Sequence, residues 1–192
     1  MSIAELVIKT RSYRRFDESD PISLETLREL VDLARQTASG ANHQPLKYLL
    51  VSTDEAKAKL FSTLKWAGAL PEWDGPVDGE KPTGYIIMLV DTAVRTAPGA
   101  DHGIAAQTIM LAAMENGIGG CMLGAINRPK IKEIFDIADG LDIALVLALG
   151  KPGEKIVLVD VPEDGNTNYY RDAETVHYVP KRSLDDVIVS EA

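Results

Sequence analysis

The chain has 192 residues, a formal net charge of −9, 45% hydrophobic and 26% charged residues, and one cysteine. That length holds a sizeable core within one domain spanning residues 1–192, while the acidic balance argues against non-specific nucleic-acid binding, which needs a basic face. Lone Cys121 excludes an internal disulfide and fits a reducing compartment, and there is neither an apolar run near the roughly 20 residues that span a bilayer nor a basic-then-apolar leader in Met1-Ser2-Ile3-Ala4-Glu5, so a cytoplasmic protein with no membrane contact is expected.

Ser2 and Glu5 stand at capping-box spacing and predict a short helix over 2–9. Arg11-Ser12-Tyr13-Arg14-Arg15-Phe16 follows, and with Lys9 it puts four cations within seven positions of an acidic chain. Residues 16–21 read as a polar turn. Ser23 caps a predicted helix to about 37, with Leu24, Leu27, Leu30, Val31 and Ala34 on one face. Ala38-Ser39-Gly40-Ala41-Asn42-His43-Gln44-Pro45 is a loop by composition. A buried-type strand over 47–51 precedes a helix from an Asp54 cap to about 64. Residues 66–83 are irregular and carry Trp66 and Trp73; a second buried-type strand covers 85–90.

The longest predicted helix, 101–116, is apolar almost all round, which fits either a subunit interface or burial inside one subunit. Gly117 is its natural C′ residue, and 119–124 is a glycine-rich strand or turn. Asn127 caps a helix to 135, and a third buried strand over 143–149 stops at Gly150. Residues 151–180 are mostly polar and read as extended, and Ser183 caps a last short segment. This order predicts an α+β protein with a central sheet and helices packed on it.

Four segments could carry chemistry, and each has a plainer reading beside it. The basic stretch is either a solvated run near a helix C-terminus or a grip on phosphate or carboxylate, which the rigid arginine fork suits. Asn42 and Gln44, after Ser39-Gly40, either cap their own loop or meet a ring with a carbonyl–NH–carbonyl edge. The glycines of 117–124 either end a helix and thin a strand or let the backbone approach a flat ligand. They follow a helix, unlike a dinucleotide fingerprint. Lys181-Arg182 ahead of Ser183 is a solvated pair or an anion site at a helix N-terminus. His43, His102 and His177 show no metal spacing, so no metal is expected; Cys121 reads as a small core residue, and Asp101-His102 as a helix start.

Taken together, these segments resemble the FMN-dependent nitroreductase family. The likeness rests on the 11–16 and 38–45 segments, Gly117-Ile118-Gly119-Gly120-Cys121-Met122-Leu123-Gly124, Leu149-Gly150-Lys151-Pro152 and Val179-Pro180-Lys181-Arg182-Ser183-Leu184, in family order over nearly the whole chain. Leu64-Lys65-Trp66-Ala67-Gly68 and Trp73-Asp74-Gly75-Pro76 look like a compact branch. The resemblance implies a nitroreductase-like fold, with a mostly antiparallel sheet flanked by helices and a C-terminal tail extending onto the partner subunit of a homodimer. It implies two FMN sites at the interface and ping-pong, two-electron reduction of nitroaromatics or quinones by NADH or NADPH. By the same likeness Arg11 and Ser12 hold the FMN phosphate and ribityl chain, and Arg14 reaches the pyrimidine edge and stabilises reduced flavin, so that no acid–base dyad is expected. Ser39, Gly40, Asn42 and Gln44 bind the ring from the other subunit. Met122, Leu123 and Gly124 lie near the reactive nitrogen, and Lys181 and Arg182 are further phosphate cations. Trp66 and Trp73 are candidates to cover the open face and choose the substrate. Thr10 stands where many members have arginine, and Ala38 and Gly40 where many have proline and serine. Other readings on the same scaffold are reductive dehalogenation, flavin fragmentation, or a non-catalytic flavin- or anion-binding module.

Overall fold

The computed structural model describes residues 1–192. The Ser2 hydroxyl accepts the Glu5 N–H while the Glu5 carboxylate accepts the Ser2 N–H, and this reciprocal cap starts α1 (Ile3–Lys9). Strand β1 (Phe16–Asp17) is followed by α2 (Leu24–Ala34), capped by Ser23, and by β2 (Leu46–Val51). Next come α3 (Asp54–Phe61), β3 (Gly84–Asp91), α4 (Asp101–Glu115), β4 (Gly119–Leu123) and α5 (Arg128–Phe135). The chain closes with β5 (Leu141–Pro152), β6 (Ile156–Asp160), β7 (Tyr170–Arg171), β8 (His177–Lys181) and α6 (Leu184–Val187).

The main sheet is antiparallel throughout. Strand β5 pairs with β1, β3 and β4, and β3 carries β2 as its outer neighbour. Alternation along β3 sends Ile86 and Met88 into a core with Leu27 and Leu30 of α2 and Ile109 of α4. It sends Tyr85, Ile87 and Leu89 into a second core with Leu60 of α3 and Ile131 of α5. Helices therefore cover both faces, which is why β3 and β5 read as unbroken apolar runs. The α+β, largely antiparallel architecture is the expected one. No helix is long and apolar enough to cross a membrane.

Several local expectations need correction. Thr53, not Asp54, caps α3, its hydroxyl accepting the Ala56 N–H at 3.4 Å; Asp54 sits in the first turn, where a carboxylate suits the helix dipole. Phe16 is no polar turn residue: it is 2% exposed and pairs with Pro152, and a Cβ on Gly150 would come within 2.7 Å of its ring. The extended reading of residues 151–180 holds in their strands but lacks the pairing: β6 runs parallel to β8, and β7 antiparallel to it, in a small second sheet. Helix α4 divides its faces: Ala105, Ala106, Ile109, Met110 and Ala113 are buried in the subunit, while Ile104 is 40% exposed.

Candidate functional site

The basic segment is laid along the sheet by β4. Ser12 pairs parallel with Gly120, and the Tyr13 N–H donates to the Gly120 carbonyl at 2.9 Å. Glycine is required beside it, since a Cβ on Gly119 would lie 2.6 Å from the Tyr13 ring and 2.8 Å from Pro152. These glycines thus make room for the chain's own tyrosine. The result is a cavity of about 340 Å³ lined by Arg11, Ser12 and Arg14, by Gln107 and Met110 of α4, by Met122 of β4, and by Tyr169, His177 and Lys181 from the C-terminal region.

Its cations lack carboxylate partners: Arg11, Arg14 and Lys181 enter no ion pair, whereas Arg15 pairs with Glu80 at 3.3 Å and Arg171 with Glu154 at 2.9 Å. Arg11 donates through Nη2 to the Val7 carbonyl at 2.5 Å, and burial draws its pKa down from the ordinary guanidinium value. Arg14 donates through Nη1 to the Ser12 carbonyl at 3.1 Å and stands 4.6 Å from the Tyr169 ring centre. The Nε groups of Arg11 and Arg14 are buried without partners. Such donors beside a cavity are costly until an acceptor arrives. His177, 1% exposed, is drawn down to about 4 by burial, with Arg14 and Arg171 adding to the shift and Glu154 opposing it. It is therefore a neutral group in the cavity wall.

The 39–44 loop lies elsewhere. Asp101, at the start of α4, accepts the Ser39 hydroxyl at 2.6 Å and the Gly40 N–H at 2.9 Å, and Ser39 Oγ accepts the Gln44 N–H at 2.9 Å. Those bonds, the Ser39 one first, hold the Asp101 carboxyl below the usual carboxylate range. Ala41, Asn42 and Gln44 adopt φ of 48°, 54° and 53°. A left-handed residue other than glycine costs of order 1–3 kcal/mol, and such strain concentrates at functional loops. Ser39 and Gln44 line a separate pocket of about 220 Å³ together with Asp101.

The structure therefore brings Arg11, Ser12, Arg14, Met122 and Lys181 together, and leaves Ser39, Gly40, Asn42 and Gln44 outside that cavity within one chain. Leu123 is buried in the α3/α5 core, and Gly124 is exposed, with no other atom closer than 3.9 Å to where a Cβ would stand. Arg182 is exposed and does not line the cavity, and the N-terminus of the four-residue α6 is already filled by its own Ser183–Asp186 capping box. Trp66 is 8% exposed in the α3/α5 core, and Trp73 lies 4.1 Å from Arg171 and 5.8 Å from Arg15; neither lines the cavity. Sequence spacing does not single out Gln107, Glu154, Tyr169 or His177 for the site, since no rule links them to residue 14, and it marks Asp101 as a helix start rather than as the tether of the 39–44 loop.

Comparison with known proteins identifies the scaffold. Residues 7–77 and 87–151 match the Nitroreductase family. The chain belongs to that family. Among its relatives is YodC of Bacillus subtilis, named as a candidate NAD(P)H nitroreductase, 27% identical over 179 residues covering 76% of this chain and 87% of YodC. A nitroreductase family protein from Streptococcus pneumoniae matches the fold with a TM-score of 0.72 at 18% identity, covering 99% of this chain and 100% of that one. A candidate nitroreductase from Exiguobacterium sibiricum, solved in complex with FMN, matches with a TM-score of 0.70 at 19% identity, covering 85% and 95%. Membership of the nitroreductase family supports an oxidoreductase.

Proposed function

We propose that this chain is an FMN-dependent NAD(P)H oxidoreductase that delivers electrons in pairs to small acceptors such as nitroaromatics or quinones, acting as a cytoplasmic homodimer in which residues 1–192 form one domain. The observation that carries this reading is the convergence of Arg11, Ser12, Arg14 and Lys181, from opposite ends of the sequence, on one cavity with no carboxylate to neutralise them. The residues fit an FMN: Arg11, Ser12, Arg14 and Lys181 line the cavity with no acidic residue in its lining, and each charge-assisted bond to a phosphate is worth roughly 1.5–3 kcal/mol. Bound FMN would supply the two-electron carrier between nicotinamide and acceptor. Arg11, Ser12 and Lys181 hold its phosphate end. Arg14 serves its pyrimidine edge, where a fixed cation favours the form carrying more negative charge. Met122 offers an apolar wall.

A second copy completes the site in this reading. The amides of Asn42 and Gln44, held on a loop tethered by Asp101, would meet the ring from the other subunit. Unpartnered apolar surface supports association: Ile3 and Ile8 of α1 are 72% and 60% exposed, and Leu184, Val187 and Val189 are 70%, 58% and 101% exposed. Strand β2 has a free edge, and beside it lies an open groove of about 900 Å³ whose apolar lining, Val31, Leu33, Leu46, Tyr48 and Leu50, is interleaved with charged side chains of both signs from α2 and β2. A β-prone tail from a second copy, with Val187-Ile188-Val189, suits such an edge.

Fluorescence titration with FMN tests the reading. One FMN should bind per chain with quenching of its emission, and Arg11→Ala should weaken binding by roughly 10- to 150-fold, the equivalent of one charge-assisted bond. Absence of binding, or equal binding by Arg11→Ala, would contradict it.

A further inference from the structure

We propose that Glu154, together with Tyr169 and His177, positions Arg14 against the reacting end of the cofactor and so sets how strongly the protein favours reduced over oxidised FMN; this rests on the functional reading above. Glu154 has a side chain only 2% exposed. Its Oε1 accepts the backbone N–H groups of Arg14, at 2.5 Å, and Arg15, at 3.2 Å, and its Oε2 accepts Nη2 of Arg171 at 2.9 Å. The carboxylate thus fixes the backbone from which the Arg14 side chain departs, and Arg171 balances its charge.

The guanidinium is bounded on further sides. Tyr169 presents its ring at 4.6 Å, and the ring of His177 lies 5.1 Å from that of Tyr169. Nη1 of Arg14 is 3.5 Å from His177 Nε2 and 3.1 Å from the Ser12 carbonyl. A guanidinium can only donate, so a hydrogen bond here requires His177 Nε2 as the acceptor and its proton on Nδ1, an atom that is buried without a partner. Tyr169 and His177 also line the cavity, so these contacts orient Arg14 at the cavity wall. Glu154 does not line it, and is a positioning rather than a catalytic residue.

Positioning and simple charge predict opposite signs. Reduction adds negative charge to the cofactor, so a nearby carboxylate acting only through space disfavours the reduced form, and removing it would raise the midpoint potential. If Glu154 holds Arg14 in place, removing it lets the cation drift and lowers the potential.

Midpoint potentials and FMN dissociation constants of the loaded wild type, Arg14→Ala, Glu154→Ala, Glu154→Gln and Tyr169→Leu separate these cases. Expected is a fall of about tenfold in the preference for reduced FMN, ~30 mV for a two-electron couple, in Arg14→Ala, Glu154→Ala and Tyr169→Leu. Glu154→Gln, which keeps an acceptor for the Arg14 and Arg15 N–H groups and removes only the negative charge, should stay at or above the wild-type potential. If Glu154→Ala does not fold, Tyr169→Leu, which changes no charge, decides. A raised potential in Glu154→Ala, or an unchanged one in Tyr169→Leu or Arg14→Ala, would overturn the positioning role while leaving FMN binding in place. A wild type that binds no FMN would instead overturn the functional reading together with this one.

Discussion

His177 sits among Arg14, Arg171, Glu154 and Tyr169 with 1% exposure, and burial, reinforced by the two arginines, takes its pKa from 6.5 to about 4. An unfolded chain takes up that proton near pH 6.5, whereas the folded chain resists it until about 4. The unfolded state therefore binds more protons between those values, and this residue's contribution to stability is lost as pH falls through that window. His177→Gln should remove that slope. Urea unfolding of both proteins at pH 7 and pH 5 should show the variant gaining on the wild type at the lower pH; an unchanged difference would mean that His177 is not held neutral. The same neighbourhood shows what could be read from the sequence. Arg11, Arg14 and Lys181 were legible because clustered cations are anomalous in an acidic chain. Glu154, Tyr169 and His177 were not, because their role comes from contacts between residues about 140 to 163 positions apart. Arg15, which stands in the same basic run, is committed to Glu80 and Trp73.

Elements with local signals were legible. The capping box at Ser2, the cap at Ser183, the apolar face of α2 and the unbroken runs of β3 and β5 all follow from spacing and composition. Strand β1 and the β6–β8 sheet were not, because a two-residue strand and polar strands exist only through distant pairing, Phe16 with Pro152 and Ile156 with His177. Elements also carry the case for a dimer. Helix α1 buries only Leu6, and the C-terminal residues Leu184, Val187, Ile188 and Val189 are all exposed. Burying a side chain of this kind contributes roughly 1.5–3 kcal/mol, so a tail lying in the partner's β2 groove, as proposed, would add several kcal/mol to association. Deleting residues 184–192 should weaken the dimer at least about 100-fold, seen as monomers in light scattering at micromolar concentration. A truncated chain that stays as dimeric as the full one would remove the tail from the interface.

At the scale of the whole molecule, a chain of net charge −9 concentrates unpaired cations in one cavity. A cluster of cations in an acidic chain favours anionic ligands at that site. The fold supplies that arrangement by crossing its termini: the segment after α1 lies beside β4, β8 returns Lys181 to it, and Met110 of α4 and Met122 form an apolar wall beside Gln107. Asp101 on the same α4 holds the 39–44 loop, so one helix supports both halves of the proposed site. The most direct test is anaerobic addition of NADH or NADPH to the FMN-loaded protein, followed by a nitroaromatic or a quinone. An FMN oxidoreductase loses its yellow absorbance at about one nucleotide per chain and regains it when the acceptor is added. Absorbance that persists under both nucleotides would contradict the assignment.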